Sequence, residues 1–131
     1  MTLKAGLKGW AETTVSRENT ALAMGSGSLE VFATPAMVAL MENAAIRAIE
    51  LEAGQTSVGT LIHVSHTAAT PLLMKVRAEA ELVEADGRRL AFKVSAYDES
   101  GLIGSGSHER VIVDTEKFRR KTNRKSEPSG E

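Results

Sequence analysis

No cysteine occurs anywhere in the 131 residues, which excludes disulfides, thiolate nucleophiles and cysteine-based metal sites. Aromatic side chains are nearly as scarce: Trp10, Phe32, Phe92, Tyr97 and Phe118 are the full set. With 42% of residues apolar, the core must then be aliphatic, built from Val, Leu, Ile, Met and Ala. The formal net charge is −1, so no global field steers nucleic acid or a membrane surface. No stretch approaches membrane-spanning length, and residues 1–10 lack the apolar run of a secretory signal, so a cytoplasmic protein is expected. Phosphate-cradling glycine loops, serine nucleophile elbows and zinc-ligand clusters are all missing, so neither a metal nor a resident cofactor is expected.

The length suits one domain. Its charge is uneven: residues 116–131 hold six Lys/Arg against three acids, and the preceding chain holds ten against fourteen. The bland reading of this end is a solvated terminus, and the sharper one is a basic patch for substrate phosphates. The expected organisation is a domain over 1–118 and a basic, flexible tail over 119–131, with 126–131 disordered.

The pattern predicts a helix over 34–51. Thr34 and Pro35 read as an N-cap followed by a residue suited to the first turn. Met37, Leu40, Met41, Ala44, Ala45 and Ala48 recur at spacings of three and four, and Gly54 lies just beyond. Val38, Ala39 and Ile46 widen the apolar arc, so the helix needs wrapping on most sides. Strands follow over 57–67, 74–83, 90–97 and 102–114. The second alternates almost strictly, with Met74, Val76, Ala78, Ala80 and Leu82 on one face. Asp86-Gly87 and Glu99-Ser100-Gly101 mark turns. Another strand is expected within 9–21, and a flexible loop over 23–28. One apolar helix with one antiparallel sheet is solved by curling the sheet around the helix, the α+β hot-dog fold. A single copy leaves sheet edges open and the helix partly uncovered, so a homodimer is expected.

Glu42 is the first chemical anomaly, because its helical neighbours are Val38, Ala39, Ala45 and Ile46. A carboxylate there must be paired, hydrogen-bonded or neutralised. It either caps a neighbouring backbone group or meets an arginine at a dimer contact, or it serves as a base or nucleophile. His63 and His66 point to opposite faces of their strand, which makes them a poor metal pair. His66 is a hydrogen-bonded strand residue or a catalyst. His108 and Arg110 share one face of the last strand. Thr34 is explained as a cap, yet the free N–H groups of a helix start also suit an oxyanion. Gly59 is a strand-start glycine or a place for close ligand approach.

Several runs together resemble the fluoroacetyl-CoA thioesterase family. They are Val31-Phe32-Ala33-Thr34, Met37 through Glu42, Val58-Gly59-Thr60, His66-Thr67-Ala68-Ala69-Thr70-Pro71, Gly87-Arg88-Arg89-Leu90 and Gly104 through Arg110. The resemblance implies a hot-dog homodimer with active sites at the subunit interface. It implies catalysis by Thr34, Glu42 and His66, with Gly59 and Arg110 helping to hold the thioester. The substrate is then an acyl-coenzyme A, of which coenzyme A is a part, and no nucleic acid or membrane partner is implied. The fluoroacetyl-specific relative has a longer, aromatic lid before the helix, whereas residues 21–30 here contain no aromatic. A different short-acyl specificity is therefore expected. A non-catalytic acyl-CoA-binding module and an acyl-thioester hydratase are the rival readings.

Overall fold

The computed structural model describes residues 3–128. A five-stranded antiparallel sheet has the spatial order β1-β3-β4-β5-β2. Its strands are β1 (Lys8–Thr14), β2 (Gln55–His66), β3 (Lys75–Asp86), β4 (Arg89–Asp98) and β5 (Gly101–Asp114). Two tight turns set the register. Gly87 takes φ 61° in the β3–β4 turn, where Asp86 pairs with Arg89, and Asp98 pairs with Gly101 across the β4–β5 turn. The predicted period-two pattern holds on β3, whose Val76, Ala78, Ala80 and Leu82 are buried. On the outer face of the sheet the Arg77 guanidinium lies 4.2 Å over the Trp10 ring.

Against the inner face lies helix α2 (Thr34–Ala48). It packs mainly on β1 and β3 and barely touches β2. Met37 and Met41 are fully buried beneath it, each worth roughly 1.5–3 kcal/mol. Small residues set the closeness of this contact. Ala44, Ala45 and Ala48 face Ala11, Ala78 and Ala80, all buried. At Gly9 no side chain fits, since a β-carbon would run into the Ala44 carbonyl and the Ala48 amide. Gly104 plays the same part on β5, where a β-carbon would fall 2.7 Å from Met37 Sδ. The glycines inside β5 are thus places of close approach.

Four expectations are corrected. The helix ends at Ala48, not at residue 51, because Ile49 turns extended and sends Ile49 and Leu51 back onto the core. Thr34 is the first helical residue, and Ala33 occupies the N-cap. The N-terminal strand stops at Thr14. Beyond it, Ser16 and Asn19 cap each other around a 3-10 turn, and Thr20 caps the short helix α1 (Ala21–Met24), which Gly25 ends at φ 72°. Most of the supposed loop over 23–28 follows that cap. Finally, a boundary at 118/119 falls inside a third helix, α3 (Thr115–Asn123), followed by a 3-10 turn at Arg124–Ser126. The Asp114 side chain accepts from the Lys117 amide, and Arg119 pairs with Glu116 at 2.9 Å, so the basic run is helical. Of the end expected to be disordered, residues 129–131 lie outside the described residues. No helix among the described residues is long and apolar enough to cross a membrane.

Replacing Gly9 with valine should lower the unfolding free energy by ~2–3 kcal/mol, because backbone atoms on α2 must give way. Denaturant unfolding checks this, and an unchanged midpoint contradicts the close-approach account.

Candidate active site

Gly59 and His66 stand an odd number of residues apart, so a regular strand would point them to opposite faces. A bulge removes the conflict. The register of β2 against β5 shifts between Gly59 and Leu61, leaving Thr60 unpaired. Gly59 then sits opposite Arg110, and His66 sits opposite Gly104. Arg110, His108 and Gly104 line the face of β5 turned towards α2. The bulge therefore turns both β2 residues to the helix side.

His66 meets the start of α2. Thr34 Oγ1 lies 2.7 Å from His66 Nδ1. Since the helix opens on Ala33, no side chain caps it. The Thr34 and Ala36 amides sit in the first turn, where no earlier carbonyl of the helix reaches them, and Pro35 has no N–H. His66 Nε2 is buried without a hydrogen-bond partner among the described residues. A cavity beside this pair is lined by Ala21, Ser26, Val31, Phe32, Ala68 and Ala69. A hydroxyl and an imidazole thus line a small recess of mixed polarity at the uncapped start of α2. They suit a carbonyl that develops negative charge.

Glu42 joins a second group. Its Oε2 lies 3.6 Å from Arg110 Nη1, and its side chain is 38% exposed against 6% for Arg110. Arg110 Nε donates to Ser57 Oγ at 2.8 Å, and Nη2 donates to the Ser57 carbonyl at 2.9 Å. Nη1 also lies 3.2 Å from His108 Nε2. Gly59 roofs this group: a β-carbon there would fall 2.7 Å from Glu42 Oε2. Ser57 was not foreseen, although its place one strand repeat before Gly59 puts it on the same face.

The five predicted residues thus fall into two groups. Thr34 meets His66, and Glu42 meets Arg110 beneath Gly59. Glu42 lies roughly two turns along α2 from Thr34, an axial rise of ~12 Å. Within one chain the carboxylate is paired with Arg110, and Thr34 with His66. No group of three or more His, Asp or Glu among the described residues is placed to hold a metal.

Burial pushes both imidazoles below the ordinary 6.5. At His66 the backbone of Ala68 opposes this. At His108 the Leu61 carbonyl opposes it, Arg110 adds to it, and Glu42 opposes it weakly. Both rings are therefore neutral at pH 7, and His66 is free to accept a proton.

A protein-family model described as fluoroacetyl-CoA-specific thioesterase matches residues 15–116. The fluoroacetyl-CoA thioesterase of Streptantibioticus cattleyicolor is 52% identical over 103 residues, spanning 77% of this chain and 73% of that protein. A solved structure of a substituted form of that enzyme type, in complex with acetyl-CoA, superposes with a TM-score of 0.88 at 41% identity. It covers 95% of this chain and 100% of its own. A hot-dog-like protein from Thermanaerovibrio acidaminovorans, 24% identical, superposes at 0.86 over 95% of this chain and 94% of its own, a likeness of fold.

Two outcomes follow. Gly59→Ala should cut turnover at least tenfold while leaving the unfolding midpoint within a few degrees, since the new methyl displaces the Glu42 carboxylate. Wild-type turnover contradicts this. Stability should fall as pH drops through 6.5 towards the lowered imidazole values, because the unfolded chain takes up protons first there. Thermal unfolding between pH 7.5 and 5.5 reads it, and a midpoint that rises on acidification overturns the assignment of neutral rings.

Proposed function

The chain belongs to the fluoroacetyl-CoA-specific thioesterase family and is a thioester hydrolase of the hot-dog fold, and on that premise we propose how it acts and on what. Its substrate is a short-chain acyl-CoA, cleaved with water to the free acid and coenzyme A. The observation that carries the reading is the 2.7 Å Thr34–His66 pair beside an uncapped helix start, with His66 Nε2 buried and unpartnered. The acyl carbonyl lies against the first turn of α2, where backbone N–H groups stabilise the oxyanion. Thr34 orients it. The Glu42 carboxylate attacks the carbonyl carbon or takes the proton of an attacking water. The C–S bond breaks as His66 relays the proton lost by the attacking water to the departing thiolate; on the nucleophile route water then hydrolyses the Glu42 anhydride, and His66 carries that water's proton to the thiolate. Alanines and a valine around the recess suit a small acyl group, and residues 21–30 supply no aromatic lid to recognise fluorine.

The working unit is a homodimer. β2 is an edge strand whose residues 59–63 are all exposed, including Leu61 and Ile62. An exposed edge strand carrying two large apolar side chains invites pairing. Two-fold pairing of β2 edges sets the two helices antiparallel, so the Glu42 region of one faces the Thr34 end of the other. That arrangement supplies the closeness of Glu42 to His66 that a single chain lacks. A cytoplasmic setting completes the reading, since coenzyme A thioesters are made and consumed inside cells.

Thiol release from acetyl-, propionyl- and butyryl-CoA tests it, and the absence of cysteine keeps the background low. Glu42→Gln should slow release by about 10²–10⁴-fold, and Thr34→Ala by at least tenfold. Equal rates for wild type and Glu42→Gln overturn the carboxylate role. Tight binding without release by the wild type points instead to a binding module, and loss of the crotonyl double bond without release points to a hydratase.

A further inference from the structure

His108 is more deeply buried than any proposed catalytic side chain, at 1% exposure, and has no part in the chemistry above. Its contacts fix its protonation. Nδ1 lies 2.7 Å from the Leu61 carbonyl, which can only accept, so Nδ1 carries the hydrogen. Nε2 faces Arg110 Nη1 at 3.2 Å, which can only donate, so Nε2 carries the lone pair. Both contacts select one neutral tautomer. The Phe92 ring, stacked at 6.0 Å and 29°, holds the plane of the imidazole. Leu61 directly follows the unpaired Thr60, so the bulge that turns His66 inward also presents the carbonyl that orients His108.

The same Arg110 nitrogen faces Glu42. Ser57 already occupies Nε and Nη2, which leaves Nη1 as the nitrogen shared between His108 and the carboxylate. Around His108, α2 contributes Glu42, β5 contributes Arg110, β4 contributes uncharged Phe92, and β2 contributes the Leu61 carbonyl. No other charged group is recorded against it among the described residues.

We propose that His108 is a positioning residue: its Nε2 lone pair aims Arg110 Nη1 at Glu42 and so fixes the orientation of the reacting carboxylate. The assignment rests on Glu42 being the catalytic acid. Loss of the lone pair leaves one guanidinium corner free, and the carboxylate then samples unproductive orientations. Burial of the ring keeps the lone pair available at neutral pH.

The test compares His108→Leu with His108→Gln in the full chain. A glutamine carbonyl can accept from Arg110, and leucine cannot. His108→Leu should lower kcat about 30-fold with KM within about threefold, and His108→Gln should recover kcat to within about fivefold of wild type. In a Glu42→Gln background, His108→Leu should cause no further loss. A purely structural histidine would lower the unfolding midpoint in both variants and leave kcat per folded molecule unchanged, which overturns the proposal. Should the leucine variant not fold, His108→Gln decides alone. A folded glutamine variant within fivefold of wild type supports positioning, and one slowed more than 30-fold contradicts it. Glu42→Gln at the wild-type rate would instead sink the catalytic reading itself. A slow Glu42→Gln with wild-type His108→Leu sinks only the positioning role.

Discussion

Arg110 carries a permanent positive charge onto the inner face of the sheet, where its side chain is 6% exposed and every donor must find a partner. Ser57 supplies an oxygen from its side chain and another from its backbone, His108 supplies a ring nitrogen, and Glu42 supplies the opposite charge. That matching explains how α2 tolerates a carboxylate in an apolar flank. It also ties the helix to the two strands it packs on least, β5 and β2. Removing Glu42 would cost less than the roughly 3–5 kcal/mol of breaking a fully buried pair, because its side chain is 38% exposed and screened. The larger consequence is chemical: the guanidinium keeps a charged oxygen held in one place.

Around this pair, the fold solves a problem of space. Alanines on α2 meet alanines on β1 and β3, and glycines at 9 and 104 let backbone and methionine come close. The helix is thereby drawn to one side of the sheet. The middle of β2 stays exposed, and the functional side chains lie on the β5–β2 half of the sheet. The scarcity of aromatic residues belongs to the same design, since larger rings would lift the helix from the strands. An open half-pocket bounded by an exposed edge strand is what a second copy would complete.

Local chemistry made most of the fold legible. Strict alternation from Met74 to Leu82, the Asp86-Gly87 turn and the three-four spacing on α2 each carry their own geometry. What failed locally had a competing local cause. Thr34 reads as a cap because Thr-Pro usually does, but Ala33 takes that position and the hydroxyl turns to His66. The basic segment over 119–131 reads as a tail because it lacks large apolar residues, although Asp114, which caps the helix leading into it, was the missed signal. The site was legible only in pieces. Alternation alone puts His108 beside Arg110, yet it separates Gly59 from His66, because an unpaired Thr60 leaves no mark in the pattern. The partner of Glu42 lies far along the chain, and no local rule links Glu42 to Arg110.

The central claim is that one catalytic centre is shared between two copies, Glu42 from one and Thr34 with His66 from the other. Mixing two inactive variants tests it most directly. Glu42→Gln and His66→Ala, unfolded together and refolded as a random mixture, should regain about a quarter of wild-type thiol release, because half of the dimers are mixed and each carries one intact site. A mixture no more active than either variant alone would contradict the account and return the whole centre to a single chain.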